Sequence, residues 1–98
     1  MNELKQHGID VELDPEVAKG HYSNLAIISH STSEFIIDFA SLLPGMPKAA
    51  VNSRIILTPE HAKRVMLSLQ ENIARYEKHF GPIKNNSTKN PMMGGGFA

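Results

Sequence analysis

The sequence predicts a small α+β domain: an antiparallel meander sheet of three to four strands, then one long C-terminal helix packed on a face of it. Three observations carry this prediction. Short apolar runs rich in β-branched and aromatic residues recur over 9–13, 21–29, 34–40 and 49–57. Pro, Gly and Ser punctuate the chain between those runs. After residue 58 the apolar spacing changes to steps of 4, 3, 4, 3 and 4, the period of one helix face. The 98 residues suit one domain, read as residues 1–83 with a flexible tail over 84–98.

Residues 9–13 alternate Ile9, Val11 and Leu13 with Asp10 and Glu12, and Asp14 follows. Strict alternation marks a half-buried strand, and acids on its outer face suit a sheet edge. Asp14-Pro15 opens a turn or a single helical turn, and Gly20 closes it. In the 21–29 run, Leu25, Ala26, Ile27 and Ile28 are consecutive, so both faces are covered there, as in a central strand. His30 to Ser33 is a polar break, with Ser31, Thr32 and Ser33 read as turn chemistry. Over 34–40, Phe35, Ile37 and Phe39 share the face expected to meet the core. Leu42 to Pro47 holds two prolines and a glycine and reads as a loop. In 49–57, Ala49, Val51, Ile55 and Leu57 are read on one face with Ser53 among them.

Thr58 is the expected N-cap of a helix over 59–80, since its hydroxyl can accept from a free N–H of the first turn. Pro59 fits the first helical position, Glu60 suits the positive end of the dipole, and Gly81-Pro82 stops the helix. Ala62, Val65, Met66, Leu69, Ile73, Tyr76 and Phe80 fall within about 60° either side of one direction. The expected core is Leu25, Ile27, Phe35, Ile37, Phe39, Val51, Ile55, Val65, Met66, Leu69, Ile73, Tyr76 and Phe80.

Composition excludes several function classes. The chain has no Cys, which removes disulfide scaffolds, Cys-ligated zinc fingers and thiol enzymes. No apolar run approaches the roughly 20 residues a membrane helix needs. The first 20 residues lack both the basic and the apolar region of a secretory signal, so a cytoplasmic protein without membrane attachment is expected. Zero net charge conceals a gradient, from −3 over 1–20 and −2 over 21–47 to +5 over 48–98. Such ends could attract each other within or between chains, although an unevenly charged solvated surface is the plainer reading.

Catalytic constellations are missing. Among His7, His21, His30, His61 and His79 no pair is spaced i, i+4. His21 and His30 could approach Glu34 and Asp38 across a hairpin, but ordinary surface histidines explain them better than a metal site does. No Gly-x-Ser-x-Gly elbow surrounds the serines, and Gly94-Gly95-Gly96 lacks the Lys-Ser/Thr of a phosphate loop. The sequence therefore predicts no enzyme, no cofactor and no metal.

What remains is surface. Leu67 lies about 140° from the stripe, among Glu60, Lys63, Arg64, Glu71 and Lys78. A lone exposed leucine is common, yet one flanked by orienting charges can anchor a contact. Glu60 with Arg64 and Glu71 with Arg75 have the spacing of helix ion pairs. The candidate interaction surface is thus Leu42, Leu43 and Met46 on the loop, with Arg54, Lys63, Arg64, Leu67, Glu71, Arg75 and Lys78. Nucleic acid is the alternative partner for Arg54, Lys63, Arg64, Arg75 and Lys78, although these spread around the helix and form no single basic stripe.

Several segments together resemble a known family. They are Tyr22-Ser23-Asn24, Ser33-Glu34-Phe35-Ile36-Ile37-Asp38-Phe39, Leu43-Pro44-Gly45, Arg54 through Arg64 with Thr58-Pro59-Glu60 at its centre, and Leu69 through Gly81. The family is the bacterial and archaeal one catalogued as domain of unknown function 3467, and the likeness covers roughly residues 9–83. It implies a compact α+β unit and carries over no catalytic residue. Members encoded near the large RNA polymerase subunits imply a transcription-linked role, with RNA polymerase as a protein partner. The strand-strand-strand-helix order also looks like half of a SecB-type export chaperone, an analogy of fold alone. The expectation is a non-enzymatic interaction module, homodimeric, accessory to the transcription machinery. Nucleic-acid binding and a small chaperone-type oligomer are the alternatives.

Overall fold

The computed structural model describes residues 3–6, 8–85 and 96–98. The order of elements is β1 (Glu3–Gln6), β2 (Ile9–Glu12), α1 (Pro15–Ala18), β3 (Leu25–His30), β4 (Phe35–Ser41), β5 (Ala50–Leu57), α2 (Pro59–Phe80) and β6 (Gly96–Phe97). The fold is α+β. Strands β3, β4 and β5 form the expected antiparallel meander, and β6 adds a fourth strand beside β3, in the order β5-β4-β3-β6.

The acidic strand departs from its expected place. β2 does not border the main sheet but pairs with β1 as a separate two-stranded sheet, Leu4 opposite Val11 and Lys5 opposite Asp10. Gly8 makes the connection at φ 77°, a conformation that a side chain would disfavour. Next, the Asp14 carboxylate accepts from the Glu16 N–H at 2.8 Å and caps α1.

The β3–β4 hairpin turns through Ser31 to Glu34. The Ser31 N–H donates to the Glu34 carbonyl at 2.9 Å, and the Ser31 hydroxyl accepts from the Ser33 and Glu34 N–H groups. Its register puts His30 opposite Phe35, Ile28 opposite Ile37 and Ala26 opposite Phe39. Leu25 and Ile27 stand opposite Ala40 and Asp38. They therefore lie on the face away from Phe35, Ile37 and Phe39, and the expected core divides between two faces.

A bulge divides β5 as well. Ser53 pairs with Phe39 and Val51 with Ala40, so Asn52 is the extra residue. The bulge sends Val51 to the face opposite Ile55 and Leu57, against the alternation expected from sequence. One face thus presents Ala26, Ile28, His30, Phe35, Ile37, Phe39, Ser53, Ile55 and Leu57. The other presents Leu25, Ile27, Ile36, Ala40, Val51 and Ile56 with Asp38 and Arg54.

Helix α2 has the bounds its sequence predicts. The Thr58 hydroxyl accepts from the His61 N–H at 3.2 Å, Pro59 occupies the first turn, and Gly81 ends the helix at φ 92° with its N–H on the Glu77 carbonyl. The depth of packing is the main difference from expectation. Ala40 is the one buried apolar residue among those described, and α2 has no buried residue and meets the sheet chiefly at β5. Of the expected core, Leu25, Ile27, Phe35, Ile37 and Phe39 are half-buried. Val51, Ile55, Val65, Met66, Leu69, Ile73, Tyr76 and Phe80 are exposed. The connection explains this. Thr58 alone separates β5 from α2, in extended conformation at φ −69° and ψ 155°, where such connections usually run about 2–6 residues. One extended residue does not turn a helix back over its own sheet.

The sequence leaves 84–98 as a flexible tail. Residues 86–95 lie outside the described residues, while Gly96 and Phe97 pair with Ile28 and Ile27 on the outer edge of β3. The Ala26 N–H donates to the Ala98 carbonyl, and the Ala98 N–H returns a bond to the Ala26 carbonyl.

Candidate interaction surface

The loop half of the candidate surface is held by a polar clamp at one end of the sheet. The Asn24 amide donates to the Leu42 carbonyl at 2.9 Å and accepts from the Leu42 N–H at 2.8 Å, as a neighbouring strand would. The Ser41 hydroxyl donates to the Tyr22 carbonyl, and the Asn52 amide reaches both that carbonyl and the Ser41 oxygen. The Ser23 hydroxyl lies 3.1 Å from the carbonyls of Leu25 and Ala40. A turn closed from the Met46 N–H to the Leu43 carbonyl, with Gly45 at φ 82°, shapes the loop tip. Leu42, Leu43 and Met46 are all exposed on this fixed loop, and Tyr22, whose carbonyl joins the clamp, is exposed as well. Sequence reasoning singled out the loop leucines and Met46 but not the residues that hold them. The available signal was the Tyr22-Ser23-Asn24 run, whose short polar side chains suit bonding to backbone.

Arg54 has a different role from the one expected. Its guanidinium grips the Asp38 carboxylate across β4 and β5 with both arms, Nε to Oδ1 at 2.7 Å and Nη2 to Oδ2 at 2.9 Å. These hydrogen bonds hold the Asp38 carboxyl below its ordinary range and Arg54 above its own, while partial desolvation pulls Asp38 the other way. A guanidinium committed to a bidentate carboxylate is less able to meet a phosphate.

The helical part of the candidate set does not join the loop. Arg64 faces Glu60 at 3.6 Å, both well exposed. Among the described residues Glu71 and Arg75 form no ion pair. Lys63, Arg64, Leu67, Glu71, Arg75 and Lys78 are all exposed and ring the side of α2 away from the stripe. The structure therefore separates the candidate residues into a clamped loop, a neutralised sheet pair and a helix face. No three His, Asp or Glu side chains converge on a metal-sized site among the described residues. His30 stacks instead on Phe35, ring centroids 5.2 Å apart. No described helix is long and apolar enough to cross a membrane.

The largest feature lies elsewhere, in the stripe itself. Leu69 is 59% and Phe80 75% exposed, and Val65, Met66, Ile73 and Tyr76 are exposed beside them. Tyr76 and Phe80 meet at a tilt, ring planes 44° apart and centroids 4.9 Å apart, and remain open to solvent. A contiguous apolar face of this length is the usual mark of an interface.

The model of the family described as Protein of unknown function (DUF3467) matches residues 1–85. The chain belongs to that family. Neither a curated protein nor a solved structure matches it.

Proposed function

We propose that the chain is a non-enzymatic protein-interaction module that works as a homodimer. The observation that supports this is α2, a 22-residue helix with one continuous apolar stripe and no buried residue. A free helix of this length gains little from propensity alone and draws its stability from packing an apolar face. The clamped Leu42–Met46 loop then offers an ordered apolar surface to a further protein. In this reading the module acts in the cytoplasm as an accessory to transcription, with RNA polymerase the partner to try first.

Nucleic-acid binding has less behind it, because Arg54 is taken by Asp38 and Arg64 faces Glu60. Sedimentation of the purified chain tests the proposal, with an affinity pull-down from nuclease-treated lysate at low and high salt. The expected result is twice the 10.8 kDa chain mass, with polymerase subunits retained after nuclease. A monomer that unfolds cooperatively, independent of concentration, would refute the homodimer. Retention lost to nuclease and falling steeply with salt would favour the nucleic-acid reading.

A further inference from the structure

We propose that, in the homodimer, α2 of each copy lies across the Phe35–Ile37–Phe39 face of the other copy's sheet. This rests on the dimer reading above and adds which surfaces meet.

The exposed area calls for a partner of this size. The chain presents 8555 Å² to solvent, against about 5,500 Å² for a compact folded monomer of its mass. Residues 1, 2, 7 and 86–95 account for at most about 2,000 Å² of this. Set against a compact core of the remaining residues, about 1,500 Å² of excess remains on each chain. Two such surfaces together match the roughly 2,000–5,000 Å² buried in obligate homodimers.

Shape selects the occupant. The stripe runs from Ala62 to Phe80, about 27 Å along the helix. β4 has seven residues and is about 23 Å long. A helix about 10 Å wide spans most of the β5-β4-β3 part of the sheet. The one-residue connection at Thr58 keeps α2 off its own sheet, so the helix that covers each face comes from the other chain.

Charge selects the face. Ala26, Ile28, His30, Phe35, Ile37, Phe39, Ser53, Ile55 and Leu57 include no Asp, Glu, Lys or Arg. Ala62, Val65, Met66, Leu69, Ile73, Tyr76 and Phe80 include none either. The opposite face carries the Asp38–Arg54 pair, whose arginine side chain is 61% exposed. Laying an apolar stripe over that pair would strip water from two charges without supplying new partners.

The absence of native cysteine makes the test clean. Ile55 and Ile56 are adjacent, exposed and on opposite faces of β5. Leu69 and Leu67 are likewise exposed on opposite sides of α2. Chains carrying only Ile55→Cys are mixed with chains carrying only Leu69→Cys, treated with a short bismaleimide, and resolved by mass. Met66→Cys and Ile73→Cys extend the scan one turn each way. The expected result is a covalent heterodimer with Ile55→Cys and at least tenfold less with Ile56→Cys or with Leu67→Cys. Equal or stronger linking through Ile56→Cys would overturn the choice of face. Linking only between two helix cysteines would overturn it in favour of helix–helix pairing. A dimer by sedimentation that links at none of these pairs would also overturn it. A wild-type monomer, or monomeric intrachain linkage in a chain carrying both Ile55→Cys and Leu69→Cys, would fail the dimer reading itself.

Discussion

Leu69→Ala separates a solvated stripe from an interface by a wide margin. Leu69 is 59% exposed in the single chain. If nothing covers it, the substitution changes stability by no more than about 0.5 kcal/mol, as at an ordinary surface site. If a second copy covers it, the loss is that of a packed leucine, about 2–5 kcal/mol. Symmetry places two such sites in a dimer, so dissociation becomes easier by about 4–10 kcal/mol if both are fully packed. Even the lower figure raises the dimer Kd about a thousandfold. Sedimentation equilibrium over a concentration series reads the Kd, and denaturant midpoints at the same concentrations read the coupled stability. Leu67→Ala, on the opposite side of the same helix and 49% exposed, serves as the matched control and should stay within about 0.5 kcal/mol of wild type. Wild-type Kd and midpoint for Leu69→Ala would refute the reasoning, as would equal losses for the two variants.

Three further outcomes follow from local geometry. Arg54 holds the Asp38 pKa below its ordinary value near 3.8, so the pair's stabilisation is fully present above that value and fades as pH falls through the lowered one. The midpoint gap between wild type and Asp38→Asn should therefore be constant from neutral pH to about 4 and close below it; a gap unchanged down to about pH 2 would contradict the pair. Thr58→Ala removes the helix N-cap and should cost about 1 kcal/mol, with Thr58→Ser close to wild type by thermal melting. Asn24→Ala breaks both bonds to the Leu42 backbone and should cost about 1–3 kcal/mol. Its Leu42 amide should exchange with deuterium much faster than in wild type, and unchanged exchange would show that the loop is held some other way.

Elements governed by local chemistry were legible from the chain alone. The helix bounds follow from Thr58, Pro59 and Gly81, because caps act within one turn. The meander follows from three β-rich runs separated by short breaks, and the Ser31 turn from hydroxyls placed beside backbone N–H groups. Pairings between distant segments were not legible. Residues 9–13 read as an edge strand of the main sheet, yet Ile9–Glu12 pair with Glu3–Gln6, since alternation reports a half-buried strand without naming its neighbour. The bulge at Asn52 moved Val51 to the other face, which period two cannot foresee. The candidate residues scattered for the same reason. Arg54 read as part of the interaction surface, and the β4–β5 register instead sets it opposite Asp38.

The sequence by itself determined the α+β class and the helix with its stripe, because each depends on residue type and near-neighbour spacing. Only the tertiary structure decided that this stripe finds no cover among the described residues. A one-residue link at Thr58 sets the direction in which the helix leaves β5, and that geometry depends on strand register and backbone dihedral angles. The same apolar periodicity serves a helix packed on its own sheet and a helix awaiting another, so hydrophobic pattern alone does not distinguish them.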